Sequence, residues 1–207
     1  MYVPPAFRET DEAAMHDTMR AAPLASVVTG TAAGLLCTPL PLFLDPGEGE
    51  RGVLYGHLAR ANPQWREPAH GEALAIFSGP DAYVTPSWYA TKRETGKVVP
   101  TWNYVAVHAY GPAEFFDDPA RLLAVVTRLT ERHEGARPAP WAVADAPADF
   151  VAAQLRGIVG LRLTITRLEG KRKMSQNRSA EDRAGVAAGL AAGEDAARRV
   201  APLIPRA

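Results

Sequence analysis

Alternating apolar and polar positions predict much of the regular structure of this chain. Between residues 161 and 166, leucine and isoleucine alternate with arginine and threonine, which is the period of a half-buried β-strand. From Thr101 to Tyr110, most aromatic side chains fall on one face, while Asn103 falls on the other face with two valines, so this stretch is also predicted to be a strand. Further strands are predicted over residues 24–29, 35–44, 53–58, 72–78 and 82–85.

Helical periodicity occurs at four places. A helix capped by Thr10 is predicted near the start of the chain, a second begins at Asp117 or Asp118, and two more cover residues 149–157 and 180 to about 200. Because the strands do not alternate regularly with these helices, a parallel sheet is not expected. The pattern instead predicts a mainly β fold of the α+β class, an antiparallel barrel with peripheral helices.

The last predicted helix has glycine at every fourth position, at Gly185, Gly189 and Gly193. Glycine costs about 1 kcal/mol relative to alanine inside a helix, so the repeat requires an explanation. Close approach of another backbone is one explanation, and a surface helix under weak selection is the other.

The predicted strand over residues 35–44 contains prolines and a cysteine. Pro39 and Pro41 cannot donate a backbone hydrogen bond, so the strand should lie at a sheet edge, at a bulge or beside a ligand. Cys37 is the one cysteine of the chain, and its apolar surroundings predict a buried, unreactive thiol. One cysteine excludes an intrachain disulfide and a thiolate-only zinc site, and it is typical of a reducing, cytoplasmic setting.

The charge balance and length limit the class of protein. The 207 residues include 23 Lys and Arg and 23 Asp and Glu, so a dominant surface for nucleic acid or anionic membranes is not expected, although a local basic patch is compatible. No apolar run approaches the ~18 residues of a membrane span, and the N-terminus lacks a leader pattern. The length predicts one domain over residues 1–207, with a C-terminal helix from about residue 179.

A basic segment between the 161–166 strand and the last helix is the first candidate for binding chemistry. Ser179 and Asp182 have the spacing of a capping box, so the segment is expected to be a loop beside a helix N-terminus, where free backbone N–H groups favour anions. The segment is therefore interpreted either as a solvated basic loop that connects strand to helix or as a site for a phosphate or another anion. The side chains concerned are Lys171, Arg172, Lys173, Ser175, Gln176, Asn177 and Arg178.

Recognisable catalytic motifs are missing from the sequence. There is no nucleophile elbow, phosphate loop or dinucleotide fingerprint, and no two of the five histidines have metal-ligand spacing, so catalytic residues stay unassigned and no metal is expected. Gly56, His57 and Arg60 lie where a strand meets a turn and could reach a phosphate; a turn histidine and a surface arginine are the alternative. Residues 86–89 and 100–104 bring aromatic side chains that could stack on a planar ring or pack in an interface.

Together these stretches resemble the FMN-binding negative transcriptional regulators, the PaiB-like family. The resemblance covers nearly the whole chain, and its segments are residues 1–7 (MYVPPAF), 56–63 (GHLARANP), 79–84 (GPDAYV), 86–89 (PSWY), 99–104 (VPTWNY) and 173–178 (KMSQNR). It implies a split β-barrel like that of pyridoxamine-phosphate oxidases and flavin reductases. It also implies FMN as the cofactor and a homodimer with two flavin sites at the subunit interface.

The resemblance further implies which residues contact the flavin. Gly56, His57 and Arg60 would hold its phosphate, and the strand of Thr38, Pro39 and Leu40 would run along the isoalloxazine edge. The remaining implied contacts are Trp102 and Asn103 from the second subunit, and Lys173, Ser175, Gln176, Asn177 and Arg178 in the flavin site or beside it.

Three functions stay open from the sequence. The family name implies a repressor of transcription, although the zero net charge and the lack of a helix-turn-helix do not support direct DNA contact. The scaffold also suits a flavin-dependent oxidoreductase, either an NAD(P)H:flavin reductase or a small-molecule oxidase. A haem-binding protein on the same scaffold would need an axial ligand such as His108.

Overall fold

The computed structural model describes residues 1–22, 24–67 and 69–206. The strands in these ranges are β1 (Arg8–Glu9), β2 (Ala25–Thr31), β3 (Gly34–Leu40), β4 (Leu42–Asp45), β5 (Val53–Ala59), β6 (Ala73–Val84), β7 (Thr101–Gly111), β8 (Ala113–Phe116), β9 (Ile158–Thr164) and β10 (Arg167–Lys173). The helices are α1 (Glu12–Ala21), α2 (Thr91–Thr95), α3 (Pro119–Glu134), α4 (Ala148–Arg156), α5 (Ala180–Ala191) and α6 (Asp195–Val200).

The chain forms two compact units. The first unit contains Met1–Thr18, Ser78–Val107 and Glu169–Ala207, and the second contains Met19–Phe77 and His108–Leu168. Each unit therefore collects segments that are distant in the sequence. The single domain predicted over residues 1–207 stays a prediction.

The second unit contains antiparallel strands from two sheets. In one sheet β6 is followed by β2 and then by β3 at the edge, and in the other the order is β4-β5-β9-β8. The strand predicted over residues 35–44 is therefore two strands in different sheets, separated at Pro41. The edge position predicted from the prolines is confirmed for β3.

Helices α3 and α4 contribute to an apolar cluster with the β4-β5-β9-β8 sheet. Asp118 caps α3 by accepting from the Arg121 N–H (2.8 Å), which confirms the predicted start of this helix. Four turns of helix then place apolar side chains at helical spacing toward the sheet. The buried cluster contains Phe43, Phe116, Leu122, Val125, Leu129 and Leu155.

The first unit contains strand segments in the order β1-β10-β7-β6. Burial alternates along β7, with Asn103, Val105 and Val107 inside, so the two-faced pattern predicted for this strand is confirmed. Helices α5 and α6 contribute to a second apolar cluster in this unit. Its buried members are Ala82, Val84, Tyr89, Val105, Met174, Val186, Leu190, Val200 and Ile204.

Two predicted loops are strands. Residues 79–81, which separate the strands predicted over 72–78 and 82–85 and have the glycine, proline and aspartate of a turn, lie inside the continuous strand β6. A Cβ at Gly79 would lie only 2.9 Å from the Val105 Cβ, so glycine lets the strands approach. Lys171, Arg172 and Lys173 were expected in a loop but belong to β10. The predicted anion loop is therefore shorter than the sequence indicates.

The long C-terminal helix predicted from the sequence is two helices, because α5 ends at Ala191 and α6 begins at Asp195. Its start is confirmed at Ala180. Close backbone approach explains two of the glycines: a Cβ on Gly185 would collide with the Trp88 carbonyl oxygen, and a Cβ on Gly189 with the Trp88 indole. The glycine face of α5 thus packs against Trp88, a residue of the same unit.

Two smaller predictions are wrong. Asp11 rather than Thr10 caps α1, since the Ala13 N–H donates to Asp11 Oδ1 (2.9 Å). Cys37 is exposed rather than buried, because β3 is an edge strand whose side chains between Gly34 and Pro39 are mostly open to solvent.

Candidate functional site

Thr38, on the edge strand β3, is held by the turn that follows β5. Its hydroxyl donates to Gln64 Oε1 (2.5 Å) and accepts from Asn62 Nδ2 (2.9 Å). Asn62 Oδ1 also accepts from the Gln64 N–H (2.9 Å) and so caps the 3₁₀ turn Pro63–Trp65. The Thr38 hydroxyl thus already donates one hydrogen bond and accepts another, and these bonds fix the position of β3. A ligand at this strand would therefore contact the strand backbone rather than the Thr38 side chain.

Gln64 is the centre of this network and was not predicted from the sequence. Its side chain is 2% exposed, and Nε2 donates to Val27 O (3.1 Å) and to Thr29 Oγ1 (3.1 Å). The amide therefore ties β2, β3 and the turn together. The Asn-Pro sequence before it indicates a capped turn, but no local pattern indicates that the following glutamine is buried.

The outer edge of β3 offers backbone groups to a ligand. In the strand order of the described residues, β3 has a neighbour on one side, and Pro39 on this strand is exposed while Leu40 is buried opposite Ala25. An open strand edge presents N–H and C=O groups, which match the amide-like edge of an isoalloxazine ring. This observation fits the predicted role of Thr38, Pro39 and Leu40.

Gly56 contacts its own chain closely, and His57 has a buried ring nitrogen. A Cβ at Gly56 would lie 2.8 Å from Pro41 O, so this glycine permits the close approach of its own chain. His57 Nδ1 is buried and has no hydrogen-bond partner within residues 1–22, 24–67 and 69–206. Burial lowers the pKa of His57, so the ring is neutral at pH 7 and offers a phosphate no charge.

Arg60 is bound to its own unit. Its Nε donates to Arg156 O (2.8 Å), its Nη2 donates to Ile158 O (3.2 Å), and its Nη1 lies 3.4 Å from Asp117 Oδ2. A phosphate would have to compete with these acceptors. The phosphate contacts of Gly56, His57 and Arg60 stay predictions, and the geometry gives Gly56 and Arg60 contacts within their own unit.

The segment after β10, in the first unit, turns at Ser175. This residue has a φ of 59°, in the left-handed region that side chains other than glycine rarely adopt. Its hydroxyl accepts from Asn103 Nδ2 (3.0 Å) and donates to Asn103 Oδ1 (3.2 Å), and both side chains are buried. Asn103 holds the turn in place through Ser175. We therefore expect Asn103 to influence ligand binding by positioning this turn and not by contacting the ligand itself.

Gln176 closes the same turn. Its Oε1 accepts from the Met174 N–H (2.6 Å), and its Nε2 donates to Arg172 O. The next residue, Asn177, is exposed, and the Arg178 guanidinium lies 4.7 Å from the centre of the Tyr89 ring. The side chains of Ser175 and Gln176 therefore form hydrogen bonds within the chain, whereas the Asn177 side chain is exposed to solvent.

The predicted capping box at the start of α5 is half correct. Ser179 Oγ accepts from the Asp182 N–H (3.2 Å), as expected of a helix cap. The Asp182 carboxylate instead accepts from the Thr91 N–H (3.0 Å) and the Thr91 hydroxyl (2.9 Å). Asp182 therefore fixes α2 rather than completing the box.

The basic side chains near this turn point to separate partners. The Lys171 ammonium lies 5.7 Å from the Tyr2 ring and 5.1 Å from the Tyr104 ring, and it donates to Tyr2 O (3.2 Å). Lys173 donates to Thr101 Oγ1, and burial lowers the Lys173 pKa. A shared anion site for these lysines stays a prediction.

Trp102 offers the first unit an exposed aromatic surface. It is 52% exposed, and the Tyr83 ring packs edge-on to it with centroids 6.1 Å apart. Exposed indole rings stack readily on planar heterocycles. Trp102 and the exposed Asn177 therefore give the first unit an aromatic surface and a polar side chain that are open to solvent.

Among the described residues, no group of three or more His, Cys, Asp or Glu side chains is placed to hold a metal ion. None of the helices in those ranges has the length and hydrophobicity needed to cross a bilayer.

Comparisons with known proteins place these features in a wider context. A model of the family described as "Putative FMN-binding domain" matches residues 1–167. An uncharacterized protein of Emericella nidulans is 36% identical over 198 residues, which cover 80% of this chain and 79% of that protein. The protease synthase and sporulation protein PAI 2 of Bacillus subtilis is 32% identical over 183 residues, which cover 88% of this chain and 85% of that protein.

A solved structure of the FAD and haem binding protein from Mycobacterium smegmatis has a similar fold. Its TM-score is 0.59 and its identity is 17%, and the alignment covers 90% of this chain and 80% of that one. At this identity the likeness concerns the fold. The antiparallel sheets with peripheral helices confirm the predicted fold class, and the fold is a split β-barrel of the kind found in flavin-binding proteins.

Proposed function

The chain belongs to the FMN-binding domain family that includes the PaiB-like proteins, and we propose that it binds FMN as a homodimer, with two flavin sites at the subunit interface. The observation that carries this proposal is the match to the family model over residues 1–167. Bound flavin would supply the redox or sensing chemistry, while the chain's own residues bind and orient it.

The hydrogen bonds and the exposed side chains described above support a division of roles around the flavin. The β3 edge would hydrogen-bond the isoalloxazine ring, with Thr38 keeping the strand in position through Asn62 and Gln64. Trp102 of the second subunit would stack on the ring, and Asn177, in the flavin site or beside it, would bind a polar group of the cofactor. FMN is proposed rather than FAD because the family model names FMN.

The cellular role that we propose is regulation of gene expression in the cytoplasm. The Bacillus subtilis relative is named as a protease synthase and sporulation protein, which supports a regulatory function. Because the Lys and Arg count equals the Asp and Glu count, we propose that this regulation proceeds through a protein partner rather than through direct contact with DNA.

A flavin-dependent oxidoreductase is the second candidate function. It is favoured by the similar fold of the Mycobacterium smegmatis protein, whose name gives FAD and haem as its ligands, because both are redox cofactors. In that case a nicotinamide cofactor or a small reductant would react at the flavin held by the β3 edge.

The decisive experiment is a titration of the purified protein with FMN and with FAD, followed by flavin absorption and fluorescence. Saturable binding with a preference for FMN is expected, and failure to bind either flavin would refute the proposal. Addition of NADH or NADPH then separates the two functions: bleaching of the bound flavin supports the oxidoreductase, and an unchanged spectrum supports the regulator.

Two tryptophans allow a matched test of the stacking contact. Trp102 and Trp141 are 52% and 50% exposed, so their replacement should have similar small effects on folding. Trp102→Ala is expected to weaken FMN binding about tenfold, the order of a lost stacking contact of 1–3 kcal/mol. Trp141→Ala should leave it unchanged, and equal affinities for both variants would remove Trp102 from the site.

A further inference from the structure

The second unit contains a cavity of about 220 Å³ against helix α3. Three aromatic rings contribute to its wall, Phe43 from β4, Tyr55 from β5 and Phe116 from β8. We call this cavity the α3 pocket. Its other lining residues are Glu48, Arg121, Ala124, Val125 and Arg128.

The aromatic side chains of the α3 pocket are fixed by stacking. The Phe43 and Tyr55 rings are 5.4 Å apart and inclined by 20°, and the Arg128 guanidinium carbon lies 4.4 Å from the Phe43 ring centre. The Arg121 guanidinium carbon lies 3.8 Å from the centre of the Phe116 ring. The pocket thus combines aromatic walls with two guanidinium groups.

Both arginines are held by carboxylates and keep donors available. Arg128 Nη1 lies 2.8 Å from Asp45 Oδ2, and Arg121 Nη2 lies 2.8 Å from Glu114 Oε1. A guanidinium has five N–H donors in a planar fork, so each arginine can also bind a second oxyanion. The existing ion pairs restrict the rotamers and so reduce the entropy lost on binding.

The negative charge of Glu48 does not prevent an anionic ligand from binding in this pocket. Its carboxylate accepts from Arg162 Nη2 (2.5 Å) and from the Tyr55 hydroxyl (2.7 Å), and the Arg162 guanidinium holds the pKa of Glu48 below its usual range. The negative charge of Glu48 is therefore balanced by Arg162. Arg121 and Arg128 are the cationic side chains of the lining, and the N–H donors that their own ion pairs leave over favour an oxyanion.

We propose that the α3 pocket binds a small aromatic carboxylate with one ring. The ring would lie among Phe43, Tyr55 and Phe116, and the carboxylate would accept from Arg121 and Arg128. A cavity of about 150 Å³ is large enough for benzene, so this volume suits a single substituted ring. The three-ring isoalloxazine is too large for it, which makes this site independent of the proposed flavin site.

The test uses benzoate as the probe and the full chain labelled with ¹⁵N. Titration is expected to give saturable NMR shifts at backbone amides of α3 and of β4. Benzyl alcohol, which has the ring without the charge, should bind about tenfold more weakly, because a charge-assisted hydrogen bond is lost. Absence of saturable shifts at α3 up to the solubility limit of benzoate would overturn the proposal.

A pair of alanines on α3 provides matched variants. Ala124 lines the pocket and is exposed at its mouth, whereas Ala120 is exposed on the same helix and lies outside the lining. Ala124→Leu should fill the mouth and weaken benzoate binding at least about tenfold, and Ala120→Leu should bind like the wild type. Equal affinities would show that benzoate binds elsewhere and would refute the site.

Discussion

The polar residues predicted to surround the flavin behave differently in the two units. In the second unit, Thr38 and Arg60 are bonded to their own chain, and the glutamine that organises Thr38 is fully buried. In the first unit, the turn after β10 buries Ser175 but leaves Asn177 exposed.

This difference separates residues that build a site from residues that can contact a ligand. A side chain whose donors and acceptors are already used stabilises the fold and affects a ligand indirectly. An exposed side chain on a fixed turn makes no contact that the fold needs, so it can bind a ligand without loss of stability. Replacements in the second unit should therefore change stability, and replacements at Asn177 should change affinity.

The largest effect is expected for Gln64→Leu. It leaves Val27 O, Thr29 Oγ1 and Thr38 Oγ1 without this partner in a buried position, so the free energy of unfolding should fall by about 2–4 kcal/mol. Urea denaturation of the flavin-free protein measures it. Gln154→Leu, at an exposed position of α4, is the matched control, and equal stability of both variants would contradict the network.

A somewhat smaller effect is expected for Asn103→Ala in the first unit. The change removes both hydrogen bonds to Ser175, which leaves a buried hydroxyl in a turn of positive φ, so stability should fall by about 1–3 kcal/mol. FMN affinity should fall as well, because the turn carrying Asn177 loosens. A destabilised variant with unchanged FMN affinity would show that this turn does not contribute to the flavin site.

The pH dependence of stability tests the buried histidine of the second unit. The unfolded chain protonates His57 near pH 6.5, while burial lowers the pKa in the folded state. Between these two values the unfolded state binds more protons, so the free energy of unfolding should fall as the pH drops through 6.5. Denaturation midpoints at several pH values measure this slope.

His57→Gln should reduce that slope. His133→Gln, on the exposed surface of α3, serves as the comparison and should follow the wild type. Parallel curves for the wild type and His57→Gln would mean that His57 does not contribute to the acid sensitivity.

The smallest change in stability is expected for Asn177→Ala. The side chain is exposed, so the free energy of unfolding should change by less than about 0.5 kcal/mol. FMN binding should nevertheless weaken several-fold, whereas the effect expected of Gln64→Leu is on stability, and this difference sharpens the contrast between the units. Isothermal titration with FMN decides this, and wild-type affinity would exclude Asn177 from the site.

The sequence predicts local elements well where one physical pattern dominates. The alternation in β7 and the Asp118 cap of α3 were both correct, because period and capping are local properties. The glycine, proline and aspartate at residues 79–81 form a turn pattern, yet they continue β6 because Gly79 packs against Val105. That contact joins residues distant in the sequence, so it could not be predicted from the local residue pattern.

The candidate site was less predictable than the fold. The basic residues of β10 were interpreted as an anion site or a solvated loop, but the Lys171 ammonium lies 5.7 Å from the Tyr2 ring and 5.1 Å from the Tyr104 ring, and these residues are far apart in the sequence. Gln64 was missed for the same reason, since its burial depends on partners in β2 and β3. The type of a residue shows which donors and acceptors it has, but the tertiary fold decides which partners they meet.

The exposed thiol on β3 makes the protein suitable for optical measurements of occupancy. Cys37 is the single cysteine in the sequence and is exposed beside Thr38, so a maleimide dye would attach at one position without removing any other residue. If the flavin binds along this strand, it will quench the dye by energy transfer. If the protein is the homodimer proposed above, single molecules could then be counted as empty, half-loaded or fully loaded dimers, which would reveal whether the two proposed sites fill independently.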